Sequence, residues 1–301
     1  MALQATVAVP RTRFVIVHYH IFKNGGSTIE SILRREFGSA FATLHGDNDD
    51  SILDARDLSR FIRSNRHITA ISSHHLRYPK PAARRMVIFD CCFLRHPLER
   101  LDSLYTYFRK IDSTDPIARH ARRVSQREFM TEMLRECPHI VSEVQVTQLA
   151  NGGAFVRPAN ERDLDRATRI IRDVSLLGLV EMFNESLVSA EYFLKGAFPK
   201  LSLDEAPRNV SRPVTYQRSV RNREERLIDL WGPEVYGDLT KLNRLDLELF
   251  RRVENEVRRR FLLVPGFEGK LADFSERCSR RAYLGLEQEE TVPLATAKAA
   301  G

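Results

Sequence analysis

Cysteine is scarce in this chain and badly spaced for metal: of four in 301 residues, Cys91 and Cys92 adjoin, while Cys137 and Cys278 stand alone. No pair has metal-ligand spacing, so no zinc site is expected. Cys91 and Cys92 lie inside an apolar run and are expected to pack as small hydrophobes, and a reducing cytoplasm fits such free thiols. Long hydrophobic runs are missing too. No stretch reaches the roughly 20 apolar residues that span a bilayer, so no transmembrane segment is expected. The opening MALQATVAVPRTRFVIVHYH has no basic region leading into a long apolar core, and no secretory leader is expected. Neither an internal repeat nor a low-complexity linker divides the chain, which reads as one domain.

Charge and alternation are what the chain does have. Lys and Arg number 47 against 40 Asp and Glu, and the net charge of +7 favours anionic ligands. Nucleic acid, acidic polysaccharide and phosphorylated cofactors are all compatible with that balance. The excess is dispersed, and the clusters Arg122-Arg123 and Arg258-Arg259-Arg260 read as solvated helix faces.

RFVIVHYHI reads as a strand, rich in β-branched and aromatic residues. STIESILRREFG then puts Ile29, Ile32, Leu33 and Phe37 on one helical face, with Gly38 as its stop and Ser27 and Glu30 at capping-box spacing. SILDARDLSRFIRS is a second amphipathic helix, HITAISS a short strand, RRMVIFDCCFL a buried strand, and PLERLDSLYTYFRK a helix opened by Pro97. Helices are expected near 125–137, 139–150 and 160–174, then the strand SLLGLVEMF and the helix NESLVSAEYFLKGAF. A long helical run, broken at Gly232-Pro233, ends near residue 261. Strands alternating with helices predict an α/β fold, a P-loop-like parallel β-sheet flanked by helices on both faces. The expected domain covers 12–265, with a partly disordered tail over 266–301 where periodicity fades.

Between the first strand and its helix lies HIFKNGGST. Glycines there let the backbone approach an anion, and the first helical turn points its N–H groups at it. A Walker A loop places lysine directly before the hydroxyl residue; here Gly26 precedes Ser27, and Lys23 stands before the glycines. MVIFD imitates a Walker B strand, but the apolar run continues past Asp90, and no clear magnesium ligand follows. The second motif, FLRHPLERLDSLYTYF, ends a buried strand in Arg95 and places Ser103 on the next helix. Arginine's fork of donors and a serine hydroxyl suit one phosphate; the alternative is a surface pair between Arg95 and Glu99.

Together these motifs resemble the sulfotransferases that use 3′-phosphoadenosine 5′-phosphosulfate (PAPS), closest to the carbohydrate branch with the heparan sulfate 2-O- and 6-O-sulfotransferases and bacterial relatives. HIFKNGGST resembles H-I-P-K-T-G-G-T-T, with Phe22 for proline and Asn24 for threonine. LRHPLERLDSLY resembles L-R-D-P-x-E-R-x-x-S-x-Y, with His96 for aspartate. Three landmarks follow in the family's order. QVTQLANG is like Q-T-R-x-L-x-G, although Thr147 stands where arginine is usual; LLGLVEMFNESL is like V-G-V-T-E-R-F-D-E-S-L; LNRLDLELFRRV is like N-x-x-D-x-x-L-Y.

The resemblance implies an enzyme that moves a sulfuryl group from PAPS to a hydroxyl on a small molecule or glycan, releasing 3′-phosphoadenosine 5′-phosphate (PAP). It implies no metal and no nucleic-acid partner. Lys23 would meet the sulfate and the bridging oxygen. Asn24, Gly25, Gly26, Ser27 and Thr28 would cradle the 5′-phosphate, and Arg95 with Ser103 would hold the 3′-phosphate. The general base is expected in ISSHHLRY, as His74 with His75 the alternate, because an imidazole of ordinary pKa near 6.5 suits the task. His18 and His20 are expected to be packed or structural. Related enzymes fold a loop such as RNVSRPVTYQRSVR (208–221) over the adenosine, which implies Arg212 or Arg218 as a contact. Animal relatives are Golgi membrane proteins; with no anchor here, a cytoplasmic, bacterial enzyme is expected. Two rivals remain, a P-loop nucleotide kinase or NTPase and a non-catalytic polyanion-binding protein.

Overall fold

A computed structural model describes residues 12–48, 50–82, 85–152, 157–205 and 220–290. Five strands, β1 (Arg13–Tyr19), β2 (Phe41–Thr43), β3 (Ala70–Ser73), β4 (Met86–Leu94) and β5 (Leu176–Leu179), form one parallel sheet in the order β2-β3-β1-β4-β5. Every pairing is parallel, with Ile16 opposite both Ala70 and Phe89 across the central strand. The helices are α1 (Gly26–Phe37), α2 (Ala55–Ser64), α3 (Pro97–Lys110), α4 (Pro116–Ala121), α5 (Gln126–Glu136), α6 (Pro138–Val141), α7 (Val144–Val146) with a following π-helical turn (Thr147–Asn151), α8 (Glu161–Asp173), α9 (Phe183–Leu194), α10 (Val220–Trp231), α11 (Pro233–Leu242), α12 (Arg244–Phe261) and α13 (Phe267–Glu290).

Strand alternation sorts the core. Ile16, Cys91 and Phe93 face α1, α9 and α13, packing on Ile29, Ile32, Leu33, Leu187 and Phe274. Val15, Val17 and Tyr19 face the other way onto Leu58 and Ile62 of α2. Cys92 and Leu94 on that face meet α8 and α12. The sheet is therefore covered on both sides, as its unbroken apolar strands require. From β1 the chain crosses to β2 and β3, whereas from β4 it crosses to β5. The carboxyl ends of β1 and β4 thus flank the point where strand order reverses, the usual ligand crevice of open parallel sheets. No helix among the described residues is long and apolar enough to cross a membrane.

Two strand expectations fail, since the expected strand SLLGLVEMF ends at Leu179 and turns into a 3-10 helix (Val180–Met182), and β2 forms where no strand is expected; the helical expectations fail in three places. The helix after β1 starts at Gly26, not after Ser27: Gly25 caps it in a left-handed turn (φ 78°) with no side-chain cap, so Glu30 is freed to face the sheet. The expected 139–150 helix is split at Ser142-Glu143, where Glu143 takes φ 47°. There Glu143 accepts the Leu245 and Asp246 N–H groups (2.9 and 2.6 Å), and Asp246 accepts those of Gln145 and Val146 (3.0 and 2.7 Å), so two helix starts cap each other. Third, the expected tail is helical as α13, anchored by Phe274 and Cys278, one turn apart on a charged helix. The long C-terminal run breaks at Gly232 as expected and again at Asn243. Residues 291–301 lie outside the described residues, as do 206–219 with Arg212 and Arg218.

Candidate functional site

Lys23 sits in a left-handed conformation (φ 67°) at the turn after β1, and Gly25 follows in another. Two such residues within three turn the chain sharply and present α1's first N–H groups beyond the sheet edge. A side chain at Gly25 would meet Phe183 Cε2 at 3.0 Å, and a Cβ at Gly26 would overlap the His20 imidazole. Ser27 is exposed at the helix start, and Thr28 is buried beside it. Lys23 extends over the Tyr107 ring, Nζ 4.2 Å from its centroid, with Phe22 at 5.5 Å. Burial, then the Arg95 charge, pushes its ammonium down to about 8.

The second motif comes to the same place. Arg95, just past β4, donates from Nη1 to the Lys23 carbonyl at 3.3 Å, and its buried Nε has no partner among the described residues. Glu99, the rival partner of Arg95, is instead held by Arg226 (2.8 Å) and Arg223 (3.3 Å) of α10, and Arg226 also grips Asp102 (2.8 Å). Those bridges fix α3, on which Ser103 is half-buried; no hydrogen bond joins Ser103 to Arg95 among the described residues. His96, in the family's aspartate position, caps α3 with its backbone only. Its N–H donates to Glu181 (2.8 Å), and burial, then Arg223, pushes the imidazole down to about 3.

Asn24 departs from its expected role. Its side chain is fully buried, donating to Phe93 O (3.0 Å) and Gln145 Oε1 (2.9 Å), and its N–H donates to Ile21 O (3.1 Å), so Asn24 offers the turn no free donor. Gln145 in turn accepts the Arg95 N–H (2.9 Å) and donates to the Arg95 carbonyl (2.8 Å). One buried amide thereby joins both motifs, and Asp246 holds its backbone. The sequence pattern flagged the stretch without revealing this clamp. Asp90 lies mid-strand as expected and is used up internally, by Lys80 (2.5 Å) and by Ser175 N and Oγ (3.0 and 2.7 Å).

His74 and His75 point apart, as successive residues at a strand end do. His75 is buried, and its Nδ1 accepts the Gly46 N–H at 2.7 Å, a structural tie. His74 turns toward the glycine loop, its ring 3.6 Å from that of His20 and 6.1 Å from Phe22. Burial, then His20, pushes its imidazole down to about 4. His18 and His20 are buried as expected, but they also join polar side chains. Glu30 Oε1 accepts from Ser72 Oγ (2.8 Å) and pairs with His20 Nδ1 (3.1 Å), while His18 Nδ1 meets Ser72 Oγ (2.9 Å). Ligand-type atoms of His18, His20 and Glu30 lie within 4.8 Å of one another. The two rings, however, are near-parallel (21°, 4.9 Å apart), so their in-plane lone pairs run side by side rather than converging on one cation.

No protein-family profile matches the chain. A protein of Archaeoglobus fulgidus, called only an uncharacterized protein, is 26% identical over 248 residues, 80% of this chain and 96% of the relative.

Proposed function

We propose that the protein transfers a sulfuryl group from PAPS to a hydroxyl acceptor, with a carbohydrate the acceptor class favoured by the resemblance. The observation that carries the reading is the 3.3 Å bond from Arg95 to the Lys23 carbonyl, which makes the two phosphate-type motifs one site at the reversal point of the sheet. The Arg95 Nε, partnerless among the described residues, fits a phosphate-bearing ligand. In the reaction the acceptor oxygen would bond to sulfur as the bond from sulfur to the bridging phosphate oxygen breaks. The hydroxyl proton would pass to a ring nitrogen of His74. Lys23 and α1's N–H groups would stabilise the charge left on PAP. Asp90's internal pairing speaks against the kinase rival, whose magnesium it would have to serve.

PAP is expected to raise the melting temperature well above the effect of equimolar ATP, measured by thermal shift. Equal shifts would remove the 3′-phosphate role of Arg95 and Ser103. Salt-sensitive binding of heparin or nucleic acid with no saturable PAP site would instead establish the polyanion-binding rival. The clamp gives a second test. Gln145→Ala takes one partner from the buried Asn24 amide and orphans the half-buried Arg95 N–H, so stability should fall by about 1–3 kcal/mol, and PAP affinity should weaken because the two halves of the site lose their common tie. A variant with unchanged PAP affinity by calorimetry would show that Gln145 does not align them.

A further inference from the structure

We propose that Glu30 and His20 are positioning residues, a carboxylate–imidazole pair that holds His74 in place and stabilises the positive charge His74 gains in turnover. The catalytic half of this rests on the sulfuryl-transfer reading; the structural half does not.

Glu30 lies on the inner face of α1 because the helix starts at Gly26. Its Oε1 is fixed by Ser72 Oγ at 2.8 Å and meets His20 Nδ1 at 3.1 Å. A carboxylate there accepts a hydrogen bond from His20 Nδ1–H, which favours the tautomer with Nε2 unprotonated. That edge lies against Gly26, where any Cβ would strike it. The ring lies against that of His74, centroids 3.6 Å apart and tilted by 32°, and the His18 ring lies at 4.9 Å. The backbone is held to match: Gln148 Nε2 donates to the His20 carbonyl (3.2 Å) and reaches that of His74 (3.4 Å), which Arg77 also grips (2.7 Å). His20 therefore touches the glycine turn and His74 at once, but with Nε2 packed on Gly26 it has no room to take an acceptor's proton itself.

The charged and titratable groups around His74 are His18 from β1, His20 just past it, Glu30 from α1, His75 and Arg77 from the loop after β3, and His45 from the loop after β2. Among them Glu30 alone favours the imidazolium. Burial works against ionising Glu30, but the His20 and Ser72 bonds outweigh it and hold the carboxyl at about 2, so it stays charged. A proton arriving on His74 then lies across one imidazole from a fixed negative charge, as the base of a catalytic triad lies beside its carboxylate.

Imidazole NMR reads this without any assay. In the wild type, His20 should show a protonated Nδ1 and a bare Nε2; the reverse tautomer would overturn the proposal with no variant needed. In Glu30→Gln the His74 titration should move down by about one pH unit, and an unmoved titration would overturn it. With an acceptor in hand, Glu30→Gln should lower kcat roughly tenfold, shift the acid limb by the same step and leave PAP affinity unchanged. A merely structural Glu30 would lower the melting temperature and leave that limb in place. If the wild type transferred no sulfuryl group yet the NMR shifts appeared, the pair would stand and the sulfuryl-transfer reading would fall. A stoichiometric divalent cation, retained by the wild type and lost in Glu30→Gln, would make the cluster a metal site and overturn the proposal.

Discussion

Turnover of Lys23→Ala is expected to fall roughly 10²–10³-fold at saturating PAPS, while PAP affinity changes far less. The asymmetry follows from when the charge appears. PAP and PAPS carry most of their negative charge before reaction, and α1's N–H groups and Arg95 meet it in the ground state. Charge on the bridging oxygen grows only as the bond to sulfur breaks, and the ammonium beside the turn is placed to meet it. Among the described residues no carboxylate pairs with Lys23; its ammonium rests on the Tyr107 ring at 4.2 Å, a contact weak enough to yield to an anion. Its left-handed backbone is a further cost that packing alone gives no reason to retain.

The pH dependence tests the same residue. Lys23 ionises at about 8, so in kcat/KM the wild type should lose activity as pH rises through that value. In kcat the limb should lie higher, because bound phosphates hold the proton on. Lys23→Ala should show neither limb. Arg95→Ala is the contrast: a ground-state phosphate contact is lost, so binding weakens more than turnover. Full turnover of Lys23→Ala at saturating PAPS would end the catalytic role.

What the sequence made legible was whatever local pattern decides. β1 reads correctly because it is rich in β-branched and aromatic residues, β4 because it is a nearly unbroken apolar run, and α3 because Pro97 can open a helix but not continue one. The glycine turn and Arg95 were visible as residue types at the ends of strands. What stayed hidden depends on contacts between distant residues. Ser27 and Glu30 have capping-box spacing whether or not they cap, and the left-handed turn at Gly25, which starts the helix early, settles the matter. Glu143 is no helix breaker by composition; Asp246, 103 residues on, makes it one by exchanging caps with it. Gln145 carries no chemical signature until Asn24 and Arg95 are folded against it. His20 and Glu30 are ten residues apart, yet nothing between them says that the turn brings them together.

The histidine pair shows the same limit, since both residues suit a base by type. His75 has given its Nδ1 to the Gly46 N–H, and His74 keeps its ring at the glycine loop. His74→Ala is accordingly expected to lower turnover roughly 10²–10⁴-fold, the range for removal of a general base, with PAP binding intact. Its pH signature differs from that of an ordinary histidine. A base works when unprotonated, and burial holds His74 near 4, so the wild-type rate should be flat from pH 5 to 7 and fall as pH drops through about 4. A fall centred near 6.5, the ordinary imidazole value, would contradict the buried environment beside His20. His75→Ala should cost about 1 kcal/mol of stability from the lost hydrogen bond and leave that profile unchanged. Initial rates after brief exposure to each pH separate ionisation from acid unfolding. If His74→Ala kept the wild-type rate and limb while His75→Ala was dead, the proton would be leaving by the other ring, and the tie to Gly46 would have to open in every turnover.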